Sequence, residues 1–343
     1  MSSNMHKVAI IGAGIAGLAC ARVLTHAGYD VQVFDKGRGP GGRMSTRRAA
    51  TSLGEASFDH GAQYFTARDG AFVETVDRLK QMGAVAPWTG DLVKIDRDGK
   101  SSPLANEPLY VGTPGMNSVV RALGEGIKIS WATRVETITR AADQWHLISD
   151  TGLDLGQFDD IISAVPAEQV GPLIGHIAPD FAAASATISS LPCWAGMFAF
   201  DRALCIPFDA MRLEDHPIVD FIAMNHSKPA RNGPPAYVVQ ARPDWSARHL
   251  EETPEIIADH LRDALIAFSD DRPNLISATA HRWRYARVEV SRGPCHLKDG
   301  FLWNGDLNLG ACGDWLSGPR VESAWLSGHH LGLAMSQKCE TGD

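Results

Sequence analysis

A glycine triplet near the N-terminus constrains the chain more than any other feature. Gly12, Gly14 and Gly17 follow residues 7–11 (Lys-Val-Ala-Ile-Ile), a β-branched apolar run of the kind found in buried parallel strands. Ile15 to Ala27 then read as a helix, with Leu18, Ala21, Val23 and Leu24 as its apolar positions and Gly28 as its stop. A second strand, 30–34, ends at Asp35. In such a βαβ unit Gly12 permits the tight turn, Gly14 lets a pyrophosphate approach the backbone, and Gly17 allows close helix–strand packing. The helix start at Ile15 and Ala16 offers unbonded N–H groups to the phosphates. Asp35, about 20 residues beyond the glycines, stands where a ribose hydroxyl needs an acceptor.

The bulk numbers exclude several other classes. The chain has 343 residues, enough for two domains and a deep cleft, and its 44% apolar and 21% charged content is that of globular proteins. A net charge of −8 argues against a nucleic-acid partner. The six cysteines, Cys20, Cys193, Cys205, Cys295, Cys312 and Cys339, form no C-x-x-C pair and no zinc-ligand spacing, so no metal is expected and reduced thiols are. The apolar run Val8–Ala21 is too short to span a membrane and lacks the flanks of a signal peptide, so a cytoplasmic protein with no membrane contact is expected.

Along the chain, helices are expected at 69–83, 115–123, 166–174, 253–268 and 319–337. A hairpin is expected at Asp96–Gly99, a strand meander at 134–155, and a buried strand at 160–165. Strands at 194–200, 236–241 and 276–282 mark a second, mixed region rich in tryptophan and proline. The expected fold class is α/β, a Rossmann-like domain with a second mixed α/β substrate domain. The expected boundaries are 1–68, 112–165 and 294–343 for the first and 69–111 with 166–293 for the second.

Further motifs narrow the dinucleotide. Asp35-Lys36-Gly37-Arg38-Gly39-Pro40-Gly41-Gly42-Arg43-Met44 is similar to the second glycine motif of the flavin amine oxidase superfamily; Gly42 allows close backbone approach and Arg43 offers a multi-donor head to a pyrophosphate. Asp59-His60-Gly61-Ala62-Gln63-Tyr64-Phe65 resembles the superfamily segment that passes the isoalloxazine, which implies that Gly61 and Ala62 touch the flavin and that Gln63 and Tyr64 lie near it or near substrate. Gly313-Asp314 resembles the closing motif on the ribityl or pyrophosphate. The same resemblance implies that Arg320 and Val321 open a helix toward the flavin pyrimidine and that Val135 holds an apolar position near the adenine.

Taken together with Arg282-Trp283-Arg284-Tyr285-Ala286-Arg287, these stretches resemble the renalase family, bacterial branch, over nearly the whole chain. The resemblance implies a flavin amine oxidase or p-hydroxybenzoate hydroxylase-like architecture and non-covalent FAD. It also implies oxidation of 2- and 6-dihydro-NAD(P) by hydride transfer to flavin N5, with O2 returning as H2O2. Trp283 and Tyr285 then join Gln63 and Tyr64 as substrate-pocket candidates. Such a substrate needs no proton removed, so no catalytic base is expected. Amine oxidases of the superfamily carry a lysine on a strand that corresponds here to Trp194–Phe200, which has none; the nearest lysine downstream is Lys228. An amine or polyamine oxidase and a non-catalytic FAD-binding protein are the competing expectations.

Overall fold

The computed structural model describes residues 5–141, 143–289 and 299–341; the expected boundary at 293/294 and Cys295 lie outside them. The chain divides into two compact units, one of Met1–Gly42, Val120–Ser190 and Val288–Asp343, the other of Arg43–Val119 and Leu191–Arg287.

The first unit is built on a six-stranded sheet in the order Phe301–Asn304, Leu309–Cys312, Asp160–Ser163, Lys7–Ile11, Asp30–Phe34, Lys128–Ser130. All neighbours are parallel except the first pair. Val8, Ala9 and Ile10 are fully buried, which is why strand Lys7–Ile11 reads as an unbroken apolar run rather than an alternating one. A three-stranded meander, Val135–Ala141, Gln144–Ser149 and Asp154–Phe158, buries Ile138, Trp145 and Leu147 in a core shared with Phe34 and Ile161. The indole of Trp145 keeps its N–H satisfied by donating to the Leu307 carbonyl at 3.0 Å. Helices Ala167–Ile174 and Pro179–Ala186 add Val170, Ile174 and Phe181 to the same core, which assigns residues 166–190 to this unit rather than to the second, where they were expected.

The second unit holds a seven-stranded sheet in the order Leu275–Val288, Ser190–Phe200, Ala236–Ala241, Val219–Met224, Ala210–Leu213, Leu92–Ile95, Ser101–Pro103. Successive side chains of a strand point to opposite faces. Phe198, Phe200, Tyr237 and Val239 therefore pack on one face with Ile257, Leu261 and Leu265 of helix Pro254–Ile266. Met197, Ala199, Ala236 and Val238 pack on the other with Ala56 and Phe58 of hairpin Thr46–Thr51/Gly54–Asp59. Both faces are covered, and the run Trp194–Phe200 is apolar throughout for that reason. The hairpin also corrects a boundary. Residues 43–68 were expected in the first unit, but their apolar side chains complete the second unit's core. Residues 112–119 likewise belong to the second unit.

Candidate cofactor and substrate site

In the first unit the glycine motif lies at the C-terminal edge of the parallel strands, the usual ligand edge of such sheets. Gly12 adopts φ +114°, and a Cβ there would meet the Ala164 carbonyl oxygen at 2.7 Å. A Cβ on Gly17 would stand 2.0 Å from the Gly12 carbonyl oxygen, so the helix can reach the strand only with glycine at this position. Gly14 differs: nothing lies within 4 Å of a Cβ built on it. It caps helix Ile15–His26 with no side-chain hydrogen bond, so no capping side chain occupies the first-turn N–H groups. This is a cradle suited to a pyrophosphate. Gly42 comes alongside it, its Cβ direction 3.8 Å from the Gly14 Cα.

The Asp35 carboxylate is oriented by two backbone donors, Ala13 N–H at 2.6 Å and Gly37 N–H at 2.6 Å. Each oxygen retains accepting capacity for a ribose hydroxyl. Lys36 donates to Gln169 at 3.1 Å, and Val135 lies buried in the core that includes Phe34. Gly313 ends strand Leu309–Cys312, and its N–H donates to Ser327 Oγ at 2.9 Å; Asp314 beside it is buried. Arg320 and Val321 stand at the start of helix Val321–Thr341 as expected. Cys312 is fully buried, and burial pushes its thiol up to about 12, which makes it inert as a nucleophile.

In the second unit the expected residues gather around the turn that follows strand Gly54–Asp59. Ala62 N–H donates to the Arg43 carbonyl at 2.8 Å, and a Cβ on Gly61 would meet that same oxygen at 2.1 Å. The turn is thus locked to the backbone of the second glycine motif, of which Met44 is a buried member. Gln63 is buried. Its Nε2 donates to the carbonyls of Asp59 (2.5 Å) and Gly61 (3.1 Å), and Gln240 Nε2 also reaches the Gly61 carbonyl at 2.7 Å. Trp283 Nε1 donates to the His60 carbonyl at 2.8 Å, and the two rings stack at 5.2 Å and 26°. Tyr64 stands apart against Phe221, and Tyr285 is half-buried two residues beyond Trp283 on the same strand.

Sequence reasoning missed what anchors this turn. Asp59 is fully buried and its two oxygens take four donors: Thr46 Oγ1 (2.7 Å) and Met116 N–H (2.9 Å) on Oδ1, Arg231 Nη2 (2.6 Å) and Lys228 Nζ (3.2 Å) on Oδ2. Lys228 also donates to Gln63 Oε1 at 3.1 Å and stands 5.0 Å from the centre of the Trp88 ring. Desolvation lowers Lys228 to about 8 against the pull of Asp59. Desolvation opposes ionisation of Asp59 too, but Lys228 and Arg231 outweigh it and hold the carboxyl at about 2. Desolvation, with His281 nearby, lowers His60 to about 4. The available signal was Lys228-Pro229-Ala230-Arg231, two cations in a proline-containing turn between apolar strands.

A model of flavin containing amine oxidoreductases matches residues 102–330, and a model of the NAD(P)-binding Rossmann-like domain matches residues 10–79. The chain belongs to the flavin-containing amine oxidoreductase family. The zeta-carotene-forming phytoene desaturase of Myxococcus xanthus is 52% identical over 44 residues, 13% of this chain and 8% of the desaturase. The hydroxyneurosporene desaturase of Rubrivivax gelatinosus is 35% identical over 102 residues, 26% of this chain and 19% of that one. The matched segments therefore span less than a fifth of these curated relatives. Cyclohexylamine oxidase from Brevibacterium oxydans IH-35A superposes with a TM-score of 0.74 at 14% identity, covering 98% of this chain and 100% of the oxidase. A putative protoporphyrinogen oxidase from Exiguobacterium sp. 255-15 gives 0.73 at 12%, with the same coverage. At these identities the likeness carries the fold: mixed α/β with a Rossmann-like FAD-binding domain. Membership of a flavin-containing family brings FAD as the cofactor, and the open cradle at Gly14 with the oriented Asp35 fits it.

Proposed function

We propose that the protein is a renalase-like oxidase of 2- and 6-dihydro-NAD(P), cytoplasmic and acting on a free dinucleotide without nucleic acid or membrane. The observation that carries this reading is Trp283. Its indole is fixed by its own N–H to the His60 carbonyl and lies flat against the His60 ring, one residue from Gly61. A planar apolar group held beside the proposed flavin turn suits a planar dihydronicotinamide. Bound non-covalently, FAD supplies the hydride acceptor. Overall, the dihydro isomer with O2 and a proton yields NAD(P)+ and H2O2, so no proton leaves the substrate.

The titratable groups bordering the turn match that chemistry. His60, at about 4, is a weak base near neutrality, and Lys228 is committed to Asp59 and Gln63. An amine or polyamine oxidase needs its substrate amine neutral before reaction, and neither group serves that purpose well. The test is anaerobic mixing of the purified flavoprotein with each isomer, with NADH and with simple amines. The expected result is bleaching of the flavin by at least one isomer well ahead of NADH and of any amine, followed by H2O2 release when O2 is admitted. Bleaching by amines alone assigns the amine oxidase reading. Bleaching by none of them supports the FAD-binding protein without turnover.

A further inference from the structure

Asp59, Gln63, Lys228 and Arg231 are all buried, and their charges do not cancel. Two cations face one carboxylate, and among the described residues no second acid pairs with either. Burying a lysine is costly, and a methionine of similar length would fill the space more cheaply. The extra cation calls for a role beyond packing.

Donor–acceptor logic supplies one. A lysine ammonium can only donate and a backbone carbonyl can only accept. Lys228 therefore forces Oε1 of Gln63 toward itself, and Nε2 must point at the Asp59 and Gly61 carbonyls. The two carbonyls and Lys228 select the same orientation, and removing Lys228 leaves Oε1 a buried acceptor without this donor while a flipped amide would set its oxygen against two carbonyl oxygens. The Gly61–Ala62 turn, bonded onward from Ala62 to the Arg43 carbonyl, inherits its geometry from this amide.

We propose that Lys228 is a positioning residue for the FAD-binding turn: through Gln63 it sets the Gly61–Ala62 backbone, and with Arg231 it supplies a net positive charge beside that turn. The proposal rests on Gly61–Ala62 meeting the cofactor, as in the reading above, and not on which substrate is oxidised. Positive charge beside the turn favours the reduced, more negative flavin. Asp59 and Arg231 are the charged groups facing Lys228, and Trp88 covers its remaining side.

The test uses the FAD midpoint potential, measured by reductive titration with dithionite and a reference dye, and the FAD dissociation constant of apoprotein. Neither involves substrate. Lys228→Met should weaken FAD binding about tenfold, the effect of one unsatisfied buried acceptor, and lower the potential. Lys228→Gln keeps a donor toward Gln63 and loses the charge, so it should restore affinity while its potential stays low. Should Lys228→Met fail to fold, Lys228→Gln decides alone: a lowered potential supports the proposal and an unchanged one overturns it. Wild-type potential and affinity in a folded Lys228→Met variant overturn it as well. Loss of Tm with no change in either quantity marks a purely structural lysine and also overturns it. If the wild type oxidises no dihydro isomer while the potential shifts as expected, the substrate reading fails and this one stands.

Discussion

The glycine edge of the first unit and the Asp59 cluster of the second are built by opposite means. At the glycine edge nearly everything is backbone: Gly12 and Gly17 have no room for a Cβ, and helix Ile15–His26 begins without a capping side chain. Around Asp59 nearly everything is side chain: a carboxylate, an ammonium, a guanidinium and an amide interlock out of water. Backbone sites are specified by which side chains are missing, so one added methyl group breaks them. Side-chain clusters are specified by charge and donor count, so they break when the balance changes. Substitutions in each region should separate the two behaviours.

The largest effect belongs to Gly17→Ala. The added Cβ would stand 2.0 Å from a backbone oxygen that cannot move without shifting strand or helix. Purified protein should come without FAD and with a markedly lower Tm, or not fold at all. A yellow, stable Gly17→Ala protein would show that the strand–helix contact is looser than described.

Asp59→Asn comes next. It leaves Lys228 and Arg231 buried without an anion, a change that typically costs about 3–5 kcal/mol. Urea unfolding should show a loss of that order, larger than for Lys228→Met, which leaves Arg231 and Asp59 paired. Equal losses would mean that the two cations share Asp59 less unequally than their distances, 2.6 and 3.2 Å, imply.

How much of each region is legible in sequence follows from the same contrast. Glycines at fixed spacing between a strand and a helix announce a local backbone geometry, so Gly12, Gly14, Gly17 and Asp35 fall where expected. The partners of Asp59 come from three distant segments, around Thr46, Met116 and Lys228–Arg231, and nothing local to Asp59 names them. Trp283 was legible as a candidate, but its bond to the His60 carbonyl joins residues more than 200 positions apart. The unit boundaries were misjudged where hairpin Thr46–Thr51/Gly54–Asp59 lends Ala56 and Phe58 to a core made mostly by later strands.

The charge cluster should also write itself into the pH dependence of stability, more weakly than the substitutions. Asp59 is held at about 2 in the folded protein, below its ordinary 3.8. Its contribution is complete above pH 3.8 and is lost as pH falls from there through about 2. Lys228 is lowered from 10.5 to about 8, so folding disfavours its charged form. That burden is fully present below pH 8 and lifts as pH rises from 8 toward 10.5, adding stability in that window. Unfolding free energies measured across both windows, in wild type and in Lys228→Met, check the assignment; the alkaline gain should vanish in the variant.

The smallest effect on stability is expected at Gly14→Ala, and it sharpens the contrast most. Gly14 sits at φ −74° and ψ 178°, a conformation alanine adopts freely, and its Cβ would point into open space. Apoprotein Tm should stay within the scatter of surface substitutions, unlike Gly17→Ala three residues on. That open space is the one we assign to the pyrophosphate, so the same methyl group should weaken FAD binding by about tenfold or more, as loss of a close backbone–phosphate contact does. Fluorescence titration of apoprotein with FAD measures it. Unchanged affinity would place the pyrophosphate elsewhere along the helix start and leave Gly14 as a capping residue alone.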